Sequence, residues 1–418
     1  MNSRERVLAA MELRAPDRVP IGEVGIDHDL VARALHRSVL WRNKAETTQM
    51  LWRGERDRLV EAFKQDLIEM TEAFGHDLVP VFLLPPEGYS TSFPRQVGKE
   101  WEDSRGYRWR YSPGNDSYLL MHRPRREFAG VEDLEAFFAE ELVGRFGFRI
   151  AAVRAGEYRL ELDDPSRLEL VRHAVKRFGN EKFIFARGFG YSNGNLQPLE
   201  FSEFEVIAEF FGGDEANLFM SVAEHPVLVR RAMELYSQVH MATTDVMADE
   251  GVDGIVSAGD FASEQGLMIA PDTIRDLFLP AMKQEVEHIH SRGLKAISHN
   301  CGNNWALLDM LLEAGYDCWQ SIQRSAGMDL RLLKKRYGND LAFWGGIEIS
   351  SLHAPGSGPV EDDVRYAIQH AAPDGGLILG ACSTVAYGCS YENYRIALST
   401  ARTCGRYPLQ LSMRGEPL

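Results

Sequence analysis

Residues Lys295 to Gly302 read KAISHNCG, an apolar run that ends in His299 and Cys301 and is closed by Gly302. In an extended segment side chains alternate faces, so an imidazole and a thiol two residues apart point the same way and can reach one ion together, while Asn300 faces elsewhere. The run GGLILGAC has the same form and delivers Cys382 at its end. Imidazole with two thiolates suits Zn²⁺, and three protein ligands leave the fourth tetrahedral position to a substrate. A lone cysteine at a strand end packs more often as a small hydrophobe. His and Cys at this spacing, matched by a thiol at a second strand end, favour the metal. Cys389 competes with Cys382 for the third place, but it follows Gly388 well beyond the strand end, and Cys318 and Cys404 read as packing.

Other apolar runs also end in groups able to do chemistry. Arg187 ends FIFAR, Asp260 follows GIVSAG, Gln320 and Gln323 follow YDCW, and Glu348 follows WGGI. Asp260 and Glu348 are the expected catalytic carboxylates, able to hold a metal ligand by a hydrogen bond or to handle a proton. Helix capping is the competing task for Asp260. Arg187, Gln320 and Gln323 are the expected substrate-binding residues, the two glutamines as polar lining.

The elements that must position these groups alternate. The strand candidates are DLVPVFLL, FIFARG, GIVSAGD, AISHNC, YDCWQSI, LAFWGGI and GLILGAC, all nearly continuous apolar runs of the kind covered on both faces. Between them lie amphipathic segments, among them Pro226 to Glu250, Pro271 to Arg292, Asn304 to Ala314 and Val360 to Ala372. About eight strand and helix units imply a closed parallel (β/α)₈ barrel with its chemistry at the C-terminal strand ends. An open doubly wound sheet is the alternative, but no GxGxxG follows a strand and opens a helix, the nearest string being GFGYSNG at Gly188. Ahead of the barrel, Ser3 to Leu13 reads as a helix capped at Ser3, APDRVP as an extended crossing, and Lys44 to Phe74 as helical up to Gly75. Residues 97–123, rich in Trp and Tyr between turn signals, read as an antiparallel β-hairpin insertion. The expectation is one domain over residues 1–418, an α/β barrel with an N-terminal helical extension.

With 418 residues, 44% of them apolar, the chain can bury a large core, and a net charge of −15 disfavours nucleic acid. The basic run Arg123 to Arg126 reads as solvated surface. No signal-like segment follows Met1 and no apolar stretch is long enough for a bilayer, so a cytoplasmic, membrane-free protein is expected. Five cysteines in such a chain are no disulfide framework.

Several stretches carry a resemblance. RERVLAAMELRAPDRVPI resembles the opening of the uroporphyrinogen decarboxylase superfamily, and the run from DGIVSAGDF to SHNCGN, then LLKKRYGNDLAFWGGIEI and YENYRIAL, resemble its later landmarks in order. That resemblance implies a (β/α)₈ TIM barrel. The decarboxylases of the family carry MRQAGR after the opening to bind porphyrinogen carboxylates, whereas this chain reads IGEVGIDHDL there, acidic and without Arg. The HxC with a distant Cys instead resembles the methylcobamide:coenzyme M methyltransferases and related corrinoid-dependent enzymes, which implies zinc on His299, Cys301 and Cys382. It implies transfer of a methyl group between a small thiol or methyl ether and cobalamin. No DxHxxG corrinoid-binding motif is present, so the corrinoid would arrive on a separate protein docking over the barrel mouth, with the aromatic insertion from Trp101 to Tyr118 as a lid or docking surface, or else an ordinary packed hairpin. A metal-independent decarboxylase or lyase, with a cationic pocket, and a non-enzymatic zinc-binding protein, with a closed four-ligand site, are the competing readings.

Overall fold

A computed structural model describes residues 1–89, 93–154, 156–187, 190–192, 195–199 and 203–409. Seven parallel strands run side by side in chain order: β1 (Leu78–Val81), β2 (Phe183–Arg187), β3 (Gly254–Ala258), β4 (Lys295–His299), β5 (Cys318–Ile322), β6 (Ala342–Ile347) and β7 (Leu377–Ala381). They are the seven apolar runs of the sequence, each trimmed by a few residues. Helices lie between successive strands, including Pro226–Glu250, which opens on a proline at its first turn and stops at Gly251 in the left-handed conformation.

The extended crossing supplies the eighth position around the sheet. Ile21 bridges Leu379 of β7 in parallel sense, Leu379 N donates to Pro20 O at 2.9 Å, and Gly22 N donates to Leu379 O at 3.1 Å. On its other flank, Asp77 N donates to Ile21 O at 2.7 Å, just ahead of β1. Asp77 is fully buried and accepts from Arg6 Nη1 at 2.8 Å, from Arg18 Nη1 at 2.7 Å and from Ile21 N at 2.8 Å. The curled sheet is thereby joined to itself as the barrel reading requires.

Alternation along the strands sorts the interior. Phe183, Phe185, Val256, Ile297, Cys318, Trp344 and Ile378 form one buried cluster with Val7, Ala10 and Met11 of the helix Ser3–Met11, which plugs the end where the strands begin. Two residues further along β2, β4 and β5, the same inward face carries Arg187, His299 and Gln320. The C-terminal mouth is therefore polar while the other end is apolar, the division of labour expected of such a barrel.

Several details differ from the sequence reading. The first helix is capped by Asn2, whose side chain accepts from Glu5 N in a capping box, and not by Ser3. The helical stretch before Gly75 is two helices, Lys44–Trp52 and Arg56–Phe74, because Gly54 takes a positive φ of 74° between them. Pro271 to Arg292 is likewise two, Pro271–Leu277 and Leu279–Ser291, with Pro280 unable to continue the first. The expected hairpin over 97–123 belongs to a four-stranded antiparallel sheet spanning Arg95 to His122, and a further hairpin, Phe148–Arg154 with Glu157–Leu162, was not anticipated. Residues 188, 189, 193 and 194 of GFGYSNG lie outside the described residues. Among the described residues no helix is long and apolar enough to cross a membrane.

Candidate metal centre

At the mouth, ligand atoms of Asp260, His299 and Cys301 all lie within 4.8 Å of one another, and this is the one such group of three among the described residues. His299 Nε2 is 3.5 Å from Cys301 Sγ and 3.8 Å from Asp260 Oδ1. Its other nitrogen, Nδ1, contacts Gln320 Oε1, and Gln320 Nε2 donates to Ala381 O at 3.3 Å. With Nδ1–H donated to an amide oxygen, the lone pair stays on Nε2 and faces the thiol, which is the tautomer a metal needs. Gln320 is 0% exposed, so it orients the imidazole from behind and does not line the mouth.

The turn that carries Cys301 is held on every side. Asn304 Nδ2 donates to the carbonyls of Asn300, Cys301 and Gly302 at 3.0, 2.8 and 3.1 Å. Gly302 has φ 85°, and a Cβ there would stand 2.6 Å from the carbonyl oxygens of both Ala262 and Ser263, so the closing glycine is a steric requirement. Asn300 turns away from the metal group as alternation demands and gives its Nδ2 to Ser298 Oγ at 2.7 Å. Asp260 is itself left-handed, φ 49°, and its Oδ1 accepts from Cys301 N at 3.1 Å. That bend turns the carboxylate back to β4 from a loop the sequence places only beyond β3.

Ser321 is a functional candidate that the sequence reading missed. The register of β5 against β6 shifts between Gln320 and Ile322, and Ser321 sits in that irregularity with φ 87°. Its hydroxyl is 3.1 Å from Cys301 Sγ and also contacts the Cys382 carbonyl oxygen, linking the two cysteines. Nothing in the string QSIQ signals a bulge.

Burial alone would disfavour a charged His299, yet the sulfur of Cys301 and then Asp260 outweigh it and hold the imidazolium up to about 9. Burial likewise opposes a thiolate at Cys301, but the adjacent His299 overrides it and lowers the thiol from its usual range. Each group of the pair thus favours the charged form of the other, and a cation between Nε2 and Sγ would replace that mutual stabilisation.

The remaining predicted residues are placed as follows. Cys382 follows β7 at the same mouth but stands outside the group of three, and burial followed by the Glu348 charge pushes its thiol up to about 12. Glu348 is buried with its carboxylate committed to the loop after β5, accepting from Arg324 N at 2.7 Å and Ser325 Oγ at 2.8 Å. Gln323 Oε1 accepts from Gly302 N at 3.2 Å, beside the turn. Arg187 is buried and donates to the Val24 carbonyl, and burial followed by Arg42 pulls its pKa well down despite the favourable charges of Asp260 and Cys301. Cys389 lies apart, its Sγ 3.4 Å from His353 Nε2.

A cleft of about 710 Å³ opens beside Asp260, lined by Leu120, His122 and Arg123 at the edge of the antiparallel sheet and by Phe219 and Met268. Asp260, whose side chain is 43% exposed, joins this cleft to the metal group.

Residues 204–404 match the family model described as Uroporphyrinogen decarboxylase (URO-D). Among solved structures, a methyltransferase from Methanosarcina mazei is similar over 96% of this chain and 99% of that one, with a TM-score of 0.60 at 16% identity. A protein assigned as a vitamin-B12-independent methionine synthase from Listeria monocytogenes covers 93% of this chain and 98% of its own at 10% identity, with a TM-score of 0.43. A glycoside hydrolase of family 5 from Bacteroides vulgatus covers 82% and 60% at 10% identity, with a TM-score of 0.36. No curated protein matches by sequence. The first likeness supports the barrel fold, and the other two add nothing to it.

Proposed function

We propose that this protein is a zinc-dependent methyltransferase of the uroporphyrinogen decarboxylase superfamily, moving a methyl group between a small thiol or methyl ether and a corrinoid carried on a separate protein. The observation that carries the reading is the aim of His299 Nε2 at Cys301 Sγ, 3.5 Å away, with Nδ1 spent on Gln320. The donor set fits zinc: nitrogen and sulfur are already together, and a second sulfur ends the next-but-two strand. In this reading His299 and Cys301 would be two of the ligands and Cys382 the third, its backbone tied through Ser321 to Cys301. When bound, zinc would stabilise the negative charge on a substrate thiolate or on the oxygen of a methyl ether.

The chain's own groups have definable tasks. Gln320 holds the imidazole, and Asn304 holds the turn on which Cys301 rides. Asp260, half-exposed between the metal group and the cleft, accepts the proton released when a substrate thiol binds at Cys301 and His299, or returns one to a leaving oxygen. Arg187, on the inward face of β2, stands within electrostatic reach of both Asp260 and Cys301. Glu348 acts through the loop it ties down, as a positioning residue.

Zinc content of the purified chain tests the proposal. About one zinc per chain is expected, lost in Cys301→Ser and Cys382→Ser and retained in Cys389→Ser, whose thiol faces His353. Retention in Cys382→Ser with loss in Asp260→Asn would instead make the carboxylate the third ligand. A metal-free protein with full methyl transfer to a corrinoid would end the reading.

A further inference from the structure

The helix Gly358–Ala371 carries a carboxylate in its apolar stripe. Val360, Val364, Ala367, Ile368 and Ala371 are buried at helical spacing, and Asp363 lies among them with its side chain 2% exposed. A carboxylate is costly to bury unless its oxygens have donors, and here each has one. Arg324 Nη2 donates to Asp363 Oδ1 at 2.8 Å, and Glu348 N donates to Oδ2 at 3.1 Å. The helix can come this near because β6 ends on glycines. Gly346 has φ 106°, and a Cβ there would stand 2.8 Å from the Cβ of Ala367, one helical turn beyond Asp363.

These bonds close a ring. The Glu348 carboxylate accepts in turn from Arg324 N at 2.7 Å and Ser325 Oγ at 2.8 Å, so the loop after β5, the turn after β6 and the helix hold one another. Each of those connections also reaches one of the two thiols. On the β5 side Gln323, next to Arg324, accepts from Gly302 N at 3.2 Å in the turn that carries Cys301. On the β6 side Ile347 O accepts from Cys382 N at 2.8 Å. Burial and then the Glu348 charge oppose a thiolate at Cys382, while the Ile349 amide, which donates to the sulfur, works the other way.

We propose that Asp363 is a positioning residue for the metal centre: gripping Arg324 and the Glu348 amide at once, it fixes the spacing of the β5 and β6 connections and so seats the Cys382 sulfur for a metal on His299 and Cys301. This rests on the reading of those three residues as zinc ligands. A zinc–sulfur bond of about 2.3 Å tolerates an error of only about 0.2 Å. Cys382 follows β7, three places along the sheet from β4, so whatever spaces the connections of β5 and β6 also spaces the ligands.

Cobalt(II) bound in place of zinc to the whole chain, without air, reports the ligands, because thiolate-to-cobalt absorbance in the near ultraviolet grows with the number of sulfurs bound. Per bound cobalt, wild type is expected to show about twice the absorbance of Cys382→Ser, and Asp363→Leu to fall to about the Cys382→Ser value with unchanged circular dichroism. Asp363→Asn, which can still accept from one donor, is expected in between. Zinc release to a chelator is expected to quicken about tenfold or more in Asp363→Leu. On the metal-free chain, hydrogen exchange reads the ring without any ion. The Ile349 and Cys382 amides are expected to lose protection by about tenfold or more in Asp363→Leu, while those of β4 keep theirs. Wild-type absorbance in either folded variant, or unchanged exchange at those two amides, overturns the proposal. A wild-type chain that takes up no cobalt ends the metal reading and the proposal together, and the exchange result then assigns the ring to the fold alone.

Discussion

Glu23, in the segment that joins β7 to β1, is a buried carboxyl. Its Oε2 accepts from Ala381 N at 2.8 Å, and its Oε1 lies 3.1 Å from Tyr394 Oη, which is itself 2.8 Å from His76 Nε2. Burial pushes the Glu23 carboxyl up to about 8, and those two hydrogen bonds only partly offset it, while burial and then Lys182 push His76 down to about 3. Both groups are therefore neutral in the folded protein at pH 7. The sign follows from linkage: between about 4.5 and about 8 the unfolded chain loses the Glu23 proton and the folded one keeps it, so stability falls as pH rises through that window. At about 1.4 kcal/mol per pH unit, the stability lost to this group between pH 5 and pH 8 is on the order of 4 kcal/mol. Glu23→Gln is isosteric with the protonated acid and can keep both contacts without titrating. Urea unfolding of wild type and variant across pH 5 to 9 is the assay. The variant is expected to gain on wild type steadily up to about pH 8 and to hold a constant lead above it. Parallel pH profiles for the two proteins would refute the buried neutral carboxyl.

Gln320→Leu removes the acceptor behind His299 and is expected to weaken zinc binding by about 10- to 100-fold, read by competition with a chelator, with the fold intact by circular dichroism. Asp260→Asn is expected to keep the fold and slow methyl transfer by about tenfold or more, whereas Glu348→Gln, acting through a loop, is expected to slow it less; corrinoid absorbance with zinc content on the same samples separates the two. Asn304→Ala unties three carbonyls and is expected to cost about 1–3 kcal/mol in urea unfolding, together with part of the zinc.

The parts of this protein that repeat a period were legible in its sequence. The seven apolar runs are the seven strands, because a strand covered on both faces must be apolar at nearly every position. The spacing of His299 and Cys301 pointed them to one side of the chain, and the turn that Asn304 and Gly302 hold keeps them there. What was not legible depends on backbone conformations that break a period. Asp260 reaches Cys301 through a left-handed residue, Ser321 through a bulge, and Gln320 looked like pocket lining because alternation says inward without saying how deep. The break at Gly54 was hidden by an apolar pattern that continues across it. Arg123 looked solvated because a basic run carries no sign of the end of the helix Glu203–Phe211 and the glycine pair packed beneath it.

The joint at Ile21 gives this barrel a hinge line that its other joints lack. Between β1 and β7 each neighbouring pair is sewn by a ladder of backbone partners, whereas Pro20 to Gly22 make two backbone-to-backbone bonds to β7 and one to Asp77. The deficit is met by a carboxylate rivet: Asp77 grips Arg6 of the plugging helix, Arg18 of the crossing and the Ile21 amide at once. Burial favours the neutral acid, but Arg18 and the other donors hold Asp77 below its ordinary range, so the rivet is engaged at neutral pH and released only in acid. Local opening should therefore begin here, with the plug and the crossing peeling away as one piece. In hydrogen exchange, the amides of Ile21 and Gly22 should lose protection before those of β4 and β5, so the staves that carry His299 and Gln320 stay closed while the cask is breached on the far side.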